Sequence, residues 1–156
     1  MLLDKQNMFA ENQTLAQVAG STTVSTNAID LLGGLTAIND TLGNAPLSDL
    51  GRSKMVDVLV QVTTTVTSGG SATIAFDLCT STAADKSTGL VVHQSTPAIA
   101  LATLVAGYQF RLEIPPGLPV TGQYLFVRFT VATATTTAGA FSAGIVADKQ
   151  TAGYAI

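Results

Sequence analysis

The sequence contains no tryptophan, one cysteine and one histidine. Because Cys79 is the single cysteine, an internal disulfide framework is excluded, and no cysteine and histidine cluster exists to form a structural zinc site. The lack of tryptophan removes the largest aromatic side chain, which weakens the case for a sugar-stacking platform. We therefore expect the stability of the fold to come from packing and hydrogen bonds.

Charged residues are also scarce. They make up 11% of the chain, against about 25% in an average globular protein, whereas 47% of the residues are hydrophobic and 23 are threonines. The net charge is −3 and the seven basic residues are scattered, which argues against nucleic-acid binding. A surface of this kind suits a protein that lies against another protein, although strand-rich domains are in general also rich in threonine and valine.

No apolar run approaches the roughly 20 residues that a membrane-spanning helix requires. The first ten residues carry Asp4 and Lys5 where a signal peptide would have its apolar centre. We therefore expect no membrane association, and a protein that is made and assembled inside the cell.

Apolar and polar residues alternate in three runs between Tyr108 and Gln150, which indicates half-buried strands. Pro115-Pro116-Gly117 and Ala138-Gly139 provide the turn signals between them. Because their apolar rows must be covered, we expect upstream strands to supply a second sheet. The same alternation predicts an all-β fold, an eight-stranded antiparallel jelly-roll-like sandwich over residues 21–156, with strands at 22–32, 53–66, 72–78, 90–94, 98–104, 108–114, 125–131 and 141–147.

Two predictions concern the 53–66 strand. The row Val56, Val58, Val60 and Val62 is expected in the core, because these residues share one face. The turn Ser68-Gly69-Gly70-Ser71 is expected to close a hairpin with the 72–78 strand.

Two segments lack a period and are candidates for contact with a partner. Residues 1–20 are predicted to form an N-terminal arm, either docked on a neighbour or folded back on its own domain. Residues 35–52 are predicted to form a long surface loop, because they combine glycine, proline and asparagine without a sustained pattern. The apolar anchors that we assign to these segments are Leu2, Leu3, Met8 and Phe9 in the arm and Leu35, Ile38, Leu42 and Leu47 in the loop.

Catalytic and metal-binding patterns are weak. His93 has no acid or nucleophile beside it in the sequence, and Cys79 follows Leu78 in a predicted strand, where a small buried thiol is the simpler interpretation. Asp40 and Asp49 lack the spacing of a calcium loop, and no spacing selects a pair among the ten carboxylates. The sequence therefore predicts a protein without catalytic activity, cofactor, metal or small-molecule substrate.

An ordered set of short motifs resembles the capsid cement, or decoration, proteins of tailed bacteriophages related to a Bordetella phage. The motifs cover the start of the chain and the C-terminal 60 residues. They are Leu3-Asp4-Lys5 with Met8-Phe9, Thr96-Pro97-Ala98-Ile99, Leu104-Val105-Ala106-Gly107-Tyr108, Ile114-Pro115-Pro116-Gly117, Tyr124-Leu125, Phe129-Thr130-Val131-Ala132-Thr133, Ala138-Gly139 and Ala143-Gly144-Ile145-Val146-Ala147-Asp148-Lys149-Gln150.

This resemblance implies a jelly-roll protein on the outside of an icosahedral phage shell, made in the host cytoplasm, that forms a homodimer and bridges neighbouring major capsid protein subunits. Two alternatives stay open. A receptor- or carbohydrate-binding sandwich of a phage tail or fibre would share the fold class, and a jelly-roll hydrolase would need paired carboxylates in a groove or a metal cluster.

Overall fold

The computed structural model describes residues 7–31, 56–115 and 122–147, and the regular structure in these segments is β-strand. The prediction of an all-β fold is confirmed, but the strands number ten rather than eight. They are β1 (Met8–Thr14), β2 (Thr22–Val24), β3 (Ile29–Asp30), β4 (Val56–Ser68), β5 (Thr73–Ser81), β6 (Val91–Ser95), β7 (Ile99–Ala100), β8 (Gln109–Glu113), β9 (Tyr124–Ala132) and β10 (Thr136–Ala147). Within the described segments, no helix is long and apolar enough to cross a membrane.

The strands form two antiparallel sheets with a nested pairing order. In the first sheet the order is β1-β10-β4-β8, and in the second it is β2-β9-β5-β6, with β3 also on β9 and β7 also on β5. Strands β2 and β3 can be counted as one interrupted strand, and so can β6 and β7. The first half of the chain then pairs with the second half, as in a long hairpin that is rolled into two sheets. This winding is that of a jelly roll.

Two local features explain the difference in strand number. The predicted 22–32 strand is interrupted at residues 25–28, where the buried Ser25 hydroxyl donates to Asn27 O at 2.8 Å and accepts from Val127 N at 3.2 Å. Strand β1 lies in the predicted arm and was missed, because two register shifts and the positive φ of Asn12 (49°) break the alternation that marks a strand. The described part of the predicted arm thus folds back on its own domain.

The predicted hairpin between the 53–66 and 72–78 strands is wrong. Strand β4 pairs with β10 and β8, whereas β5 pairs with β9, β6 and β7 in the other sheet. The residues 69–72 therefore cross between the sheets. The reason is that the apolar rows of β4 and β5 face each other across one core, which adjacent strands of one sheet cannot do.

Upstream strands supply most of the second sheet, as expected, because β2, β3, β5, β6 and β7 lie in it, but the C-terminal stretch is itself divided between the sheets. Strands β8 and β10 lie in the first sheet and β9 in the second, so the C-terminal stretch contributes to both. The core between them joins both sheets through aromatic rings: the centroid of Phe76 lies 5.1 Å from that of Phe110 and 5.5 Å from that of Phe141, and the centroid of Phe129 lies 5.4 Å from that of Phe141. The valine row of β4 is buried as predicted at Val58, Val60 and Val62.

Candidate interaction surfaces

Among the residues that the structure describes, those at one end of the sandwich include no charged side chain. This end consists of the loops β1–β2 (15–21), β4–β5 (69–72), β7–β8 (101–108) and β9–β10 (133–135), and we call it the uncharged end. The four sequence segments that contain these loops, 12–29, 58–76, 94–110 and 129–147, include no Asp, Glu, Lys or Arg. The jelly-roll winding brings the four loops within these separate segments together at one end of the domain.

Hydrogen bonds between the loops fix the uncharged end. The hydroxyl of Thr136 accepts from Gln17 N at 2.9 Å and donates to Leu15 O at 2.5 Å. Ser68 Oγ donates to Thr135 O at 2.6 Å, and Ala106 N donates to Thr65 Oγ1 at 3.0 Å. Because backbone and hydroxyl groups satisfy one another here, these loops hold their shape without ion pairs.

The uncharged end also exposes apolar side chains. Val18 is 67% exposed, with the exposed Ala19 next to it, and Val105 is 46% exposed, with the exposed Ala102 and Ala106 in the same loop. Interface cores are depleted in charged residues and gain affinity from apolar burial. The composition of this end therefore fits a surface that is covered by another protein.

The opposite end of the sandwich carries an open groove of about 490 Å³, and we call this the groove end. Its lining comes from the start of β1, the β2–β3 corner, the β5–β6 loop and the start of β9: Met8, Thr26, Asn27, Ala28, Ala84, Lys86 and Tyr124. Asn27 N donates to Phe9 O at 2.8 Å, which holds the corner against β1.

Lys86 is the charged side chain of this groove. Its Nζ donates to Ser25 O at 2.7 Å and to Thr26 O at 3.2 Å, and burial lowers its pKa. The backbone of Lys86 has a φ of 64°, a conformation that residues other than glycine seldom adopt. The lysine thus bridges the β5–β6 loop and the β2–β3 corner through neutral acceptors.

The other two described cations are paired with carboxylates on the outer faces of the sheets. Arg111 Nη1 lies 3.2 Å from Asp57 Oδ2, and Arg128 Nη2 lies 2.6 Å from Asp77 Oδ2. No such pair involves Lys86 in the part of the chain that the structure describes. Among the three described cations, Lys86 is therefore the one without a carboxylate partner, and it lies in the groove.

The model of the Bbp16 family matches residues 13–145 of this chain. The chain belongs to the Bbp16 family. The family name points to a protein of a Bordetella phage, and the matched region spans the chain from within β1 to within β10. No curated protein matches the sequence.

The residues that we predicted as partner contacts are separated in this family member. Met8 lies in the groove lining. Phe9 is fully buried in the core of its own domain and is therefore not accessible to a partner in this structure. Leu2 and Leu3 of the arm and Leu35, Ile38, Leu42 and Leu47 of the loop lie outside the described residues.

His93 and Cys79, the described side chains with potential chemistry, are both shielded from solvent to some degree. His93 Nε2 lies 2.8 Å from Thr80 Oγ1, and burial lowers the pKa of the imidazole. Cys79 is fully buried, and burial raises the pKa of its thiol to about 11, so that the reactive thiolate is suppressed at neutral pH. Within the described segments, no three His, Cys, Asp or Glu side chains converge to hold a metal ion.

Sequence reasoning missed both the uncharged end and the role of Lys86 in the groove. The signal for the first was present as four long intervals between charged residues. This signal can be interpreted only when the topology shows that the loops within these intervals meet at one end of the domain. For Lys86 no sequence signal exists, because its partners are backbone carbonyls of a distant corner.

Proposed function

We propose that this Bbp16-family protein is a capsid decoration protein that binds the outside of an icosahedral phage shell and bridges subunits of the major capsid protein. In this role it performs no catalysis, needs no cofactor and acts as a homodimer. The observation that carries the proposal is the uncharged end, with Val18 and Val105 exposed on loops that contain no ion.

The physical argument starts from the cost of burial. Charged groups lose their hydration when a partner covers them, and this cost must be recovered by pairing. Covering the uncharged end costs no ion hydration, because its loops contain no ions. Its polar groups are largely satisfied by hydrogen bonds between its own loops, so that covering them also costs little. Apolar burial there can contribute directly to affinity at roughly 25 cal/mol per Å² before the costs of association.

Stabilisation of a shell then follows from mass action. A protein that binds only the assembled state shifts the equilibrium toward that state, and many weak contacts repeated over a shell add up. A contact area of about 1,600 Å² for each copy would be of ordinary size for a specific interface.

The experiment is co-sedimentation of the purified protein with empty phage shells, together with its mass in solution by light scattering. We expect saturable binding by a dimer and decorated shells that survive heating better than bare ones. Failure of the wild-type protein to bind any shell would refute the proposal.

A matched pair of variants tests the surface. We expect Val105→Asp to weaken shell binding at least about tenfold, because an unpaired carboxylate would be buried. Val92 is 43% exposed and lies within strand β6, outside the loops of both ends, so Val92→Asp is the control and should bind as the wild type does. Equal binding by both variants would remove the uncharged end from the interface.

The receptor- or carbohydrate-binding alternative rests on the groove end, where Tyr124 lies near the polar side chains of Thr26 and Asn27. A glycan array with the wild-type protein separates the two functions. Reproducible glycan binding, combined with no binding to shells, would favour the alternative.

A further inference from the structure

We propose that the groove end is a second contact surface that receives a carboxylate of the shell protein, with Lys86 Nζ as its ion-pair partner. This inference rests on the proposed function and deepens it. A homodimer presents the uncharged end twice, and a second surface on each protomer would add a further contact with the shell. The groove lies at the far end of the same rigid sandwich.

The first argument is charge complementarity. Lys86 is the cation that has no carboxylate partner among the described residues, whereas Arg111 and Arg128 are both paired. Its two acceptors, Ser25 O and Thr26 O, are neutral, so they position the ammonium group without cancelling its charge. An ammonium group has three N–H donors, and one is therefore left for a ligand.

The second argument is preorganisation. The β5–β6 loop is fixed by its own hydrogen bonds: Ser81 Oγ donates to Ala83 O and Thr88 O, and Ser87 N donates to Asp85 Oδ1. Lys86 itself is held in a left-handed backbone conformation, which costs free energy in a residue with a side chain. The ammonium position is thus set before any partner arrives.

The third argument concerns the groove around the ammonium group. Thr26, Asn27 and Ala84 are exposed, and Met8 and Tyr124 are half-buried, so that a side chain can enter and be partly desolvated. Burial lowers the pKa of Lys86, and a carboxylate beside it would favour the charged form again. The described lining residues include one aromatic ring, that of Tyr124, and no acidic side chain, so a carboxylate fits the groove better than a sugar does.

The test measures shell binding of Lys86→Gln and Lys86→Arg over a range of salt concentrations. We expect Lys86→Gln to bind about tenfold more weakly and to depend less on salt, because the ion pair is lost, and Lys86→Arg to retain most of the affinity. Asp85→Asn is the matched control, since it changes the charge of the neighbouring residue in the same loop. It should bind at least as well as the wild type.

The outcomes separate this inference from the proposed function. If the wild type does not bind shells, the proposed function fails. If the wild type binds and Lys86→Gln binds equally well with the same salt dependence, the carboxylate contact is refuted and the decoration role stands.

A second measurement avoids variants, because Lys86 also joins two loops and Lys86→Gln could fail to fold. Chemical acetylation of the wild-type protein, read by mass spectrometry, should modify Lys86 several-fold less in shell-bound than in free protein. Unchanged modification would overturn the inference. Protection of Lys86 by a soluble glycan instead of by shells would also overturn it and assign the groove to sugar.

Discussion

The two ends of the sandwich are built from the same strands but are stabilised differently. At the uncharged end, backbone groups and threonine or serine hydroxyls satisfy one another, with Thr136 between Leu15 and Gln17. At the groove end, a lysine ammonium reaches across to carbonyls of a neighbouring corner. Hydrogen bonds from hydroxyl groups fix the loops without adding charge. Hydrogen bonds from an ammonium group also fix the loops, but they leave a positive charge with which a partner can pair. The same domain can therefore offer an apolar contact at one end and an ionic one at the other.

The largest effect is expected where β1 joins the groove end to the core. Phe9→Ala removes a fully buried ring, and we expect the free energy of unfolding to fall by about 3–5 kcal/mol. Met8→Ala, one residue earlier and half-buried, should cost much less and serves as the control. Chemical denaturation measures both. If Phe9→Ala left the stability unchanged but abolished shell binding, Phe9 would be a partner anchor and β1 would not be held as the structure shows.

An intermediate effect is expected at the uncharged end. Thr136→Val keeps the shape of the side chain but leaves Gln17 N and Leu15 O without their partner, which should cost about 1–3 kcal/mol. Thr137→Val is the matched control, because that residue is exposed and its hydroxyl forms a surface hydrogen bond with Thr67 Oγ1, and it should change stability by less than about 0.5 kcal/mol. Equal losses in the two variants would show that the uncharged end is not held by the buried hydroxyl.

The fold class could be predicted from the sequence because half-buried strands alternate visibly. The apolar rows of β4, β8 and β9 were located correctly, and the valines at 58, 60 and 62 are buried as expected. The sheet to which each strand belongs could not be predicted, since an apolar row looks the same whichever sheet carries it. Strand β1 was missed because its bulges interrupt the period.

The candidate surfaces were harder to predict than the fold. Two of the eight predicted contact residues are described, Met8 in the groove and Phe9 in the core. A large apolar residue near a chain terminus looks the same in the sequence whether it anchors a partner or its own core. The uncharged end depends on which loops meet, and that follows from the long-range pairing of β1 with β10 and β4 with β8.

The smallest effect is a pH dependence that should be confined to the groove half of the molecule. His93, on β6 beside Thr80, has a pKa that burial lowers from 6.5, whereas the loops of the uncharged end carry no His, Asp, Glu, Lys or Arg. The unfolded chain therefore takes up a proton as the pH falls through 6.5, before the folded protein does. The contribution of His93 to the free energy of unfolding is fully present above that pH and declines as the pH falls toward the lowered pKa.

His93→Gln should flatten this decline, because the variant has no imidazole to protonate in either state. The measurement is the free energy of unfolding of both proteins at intervals between about pH 5 and 7.5, in the range around the ordinary histidine pKa. Asp85 does not interfere, since hydrogen bonds from Ser87 lower its pKa from 3.8 and its titration lies well below this window. Parallel curves for wild type and variant would contradict the assignment and place the pH dependence in a group other than His93.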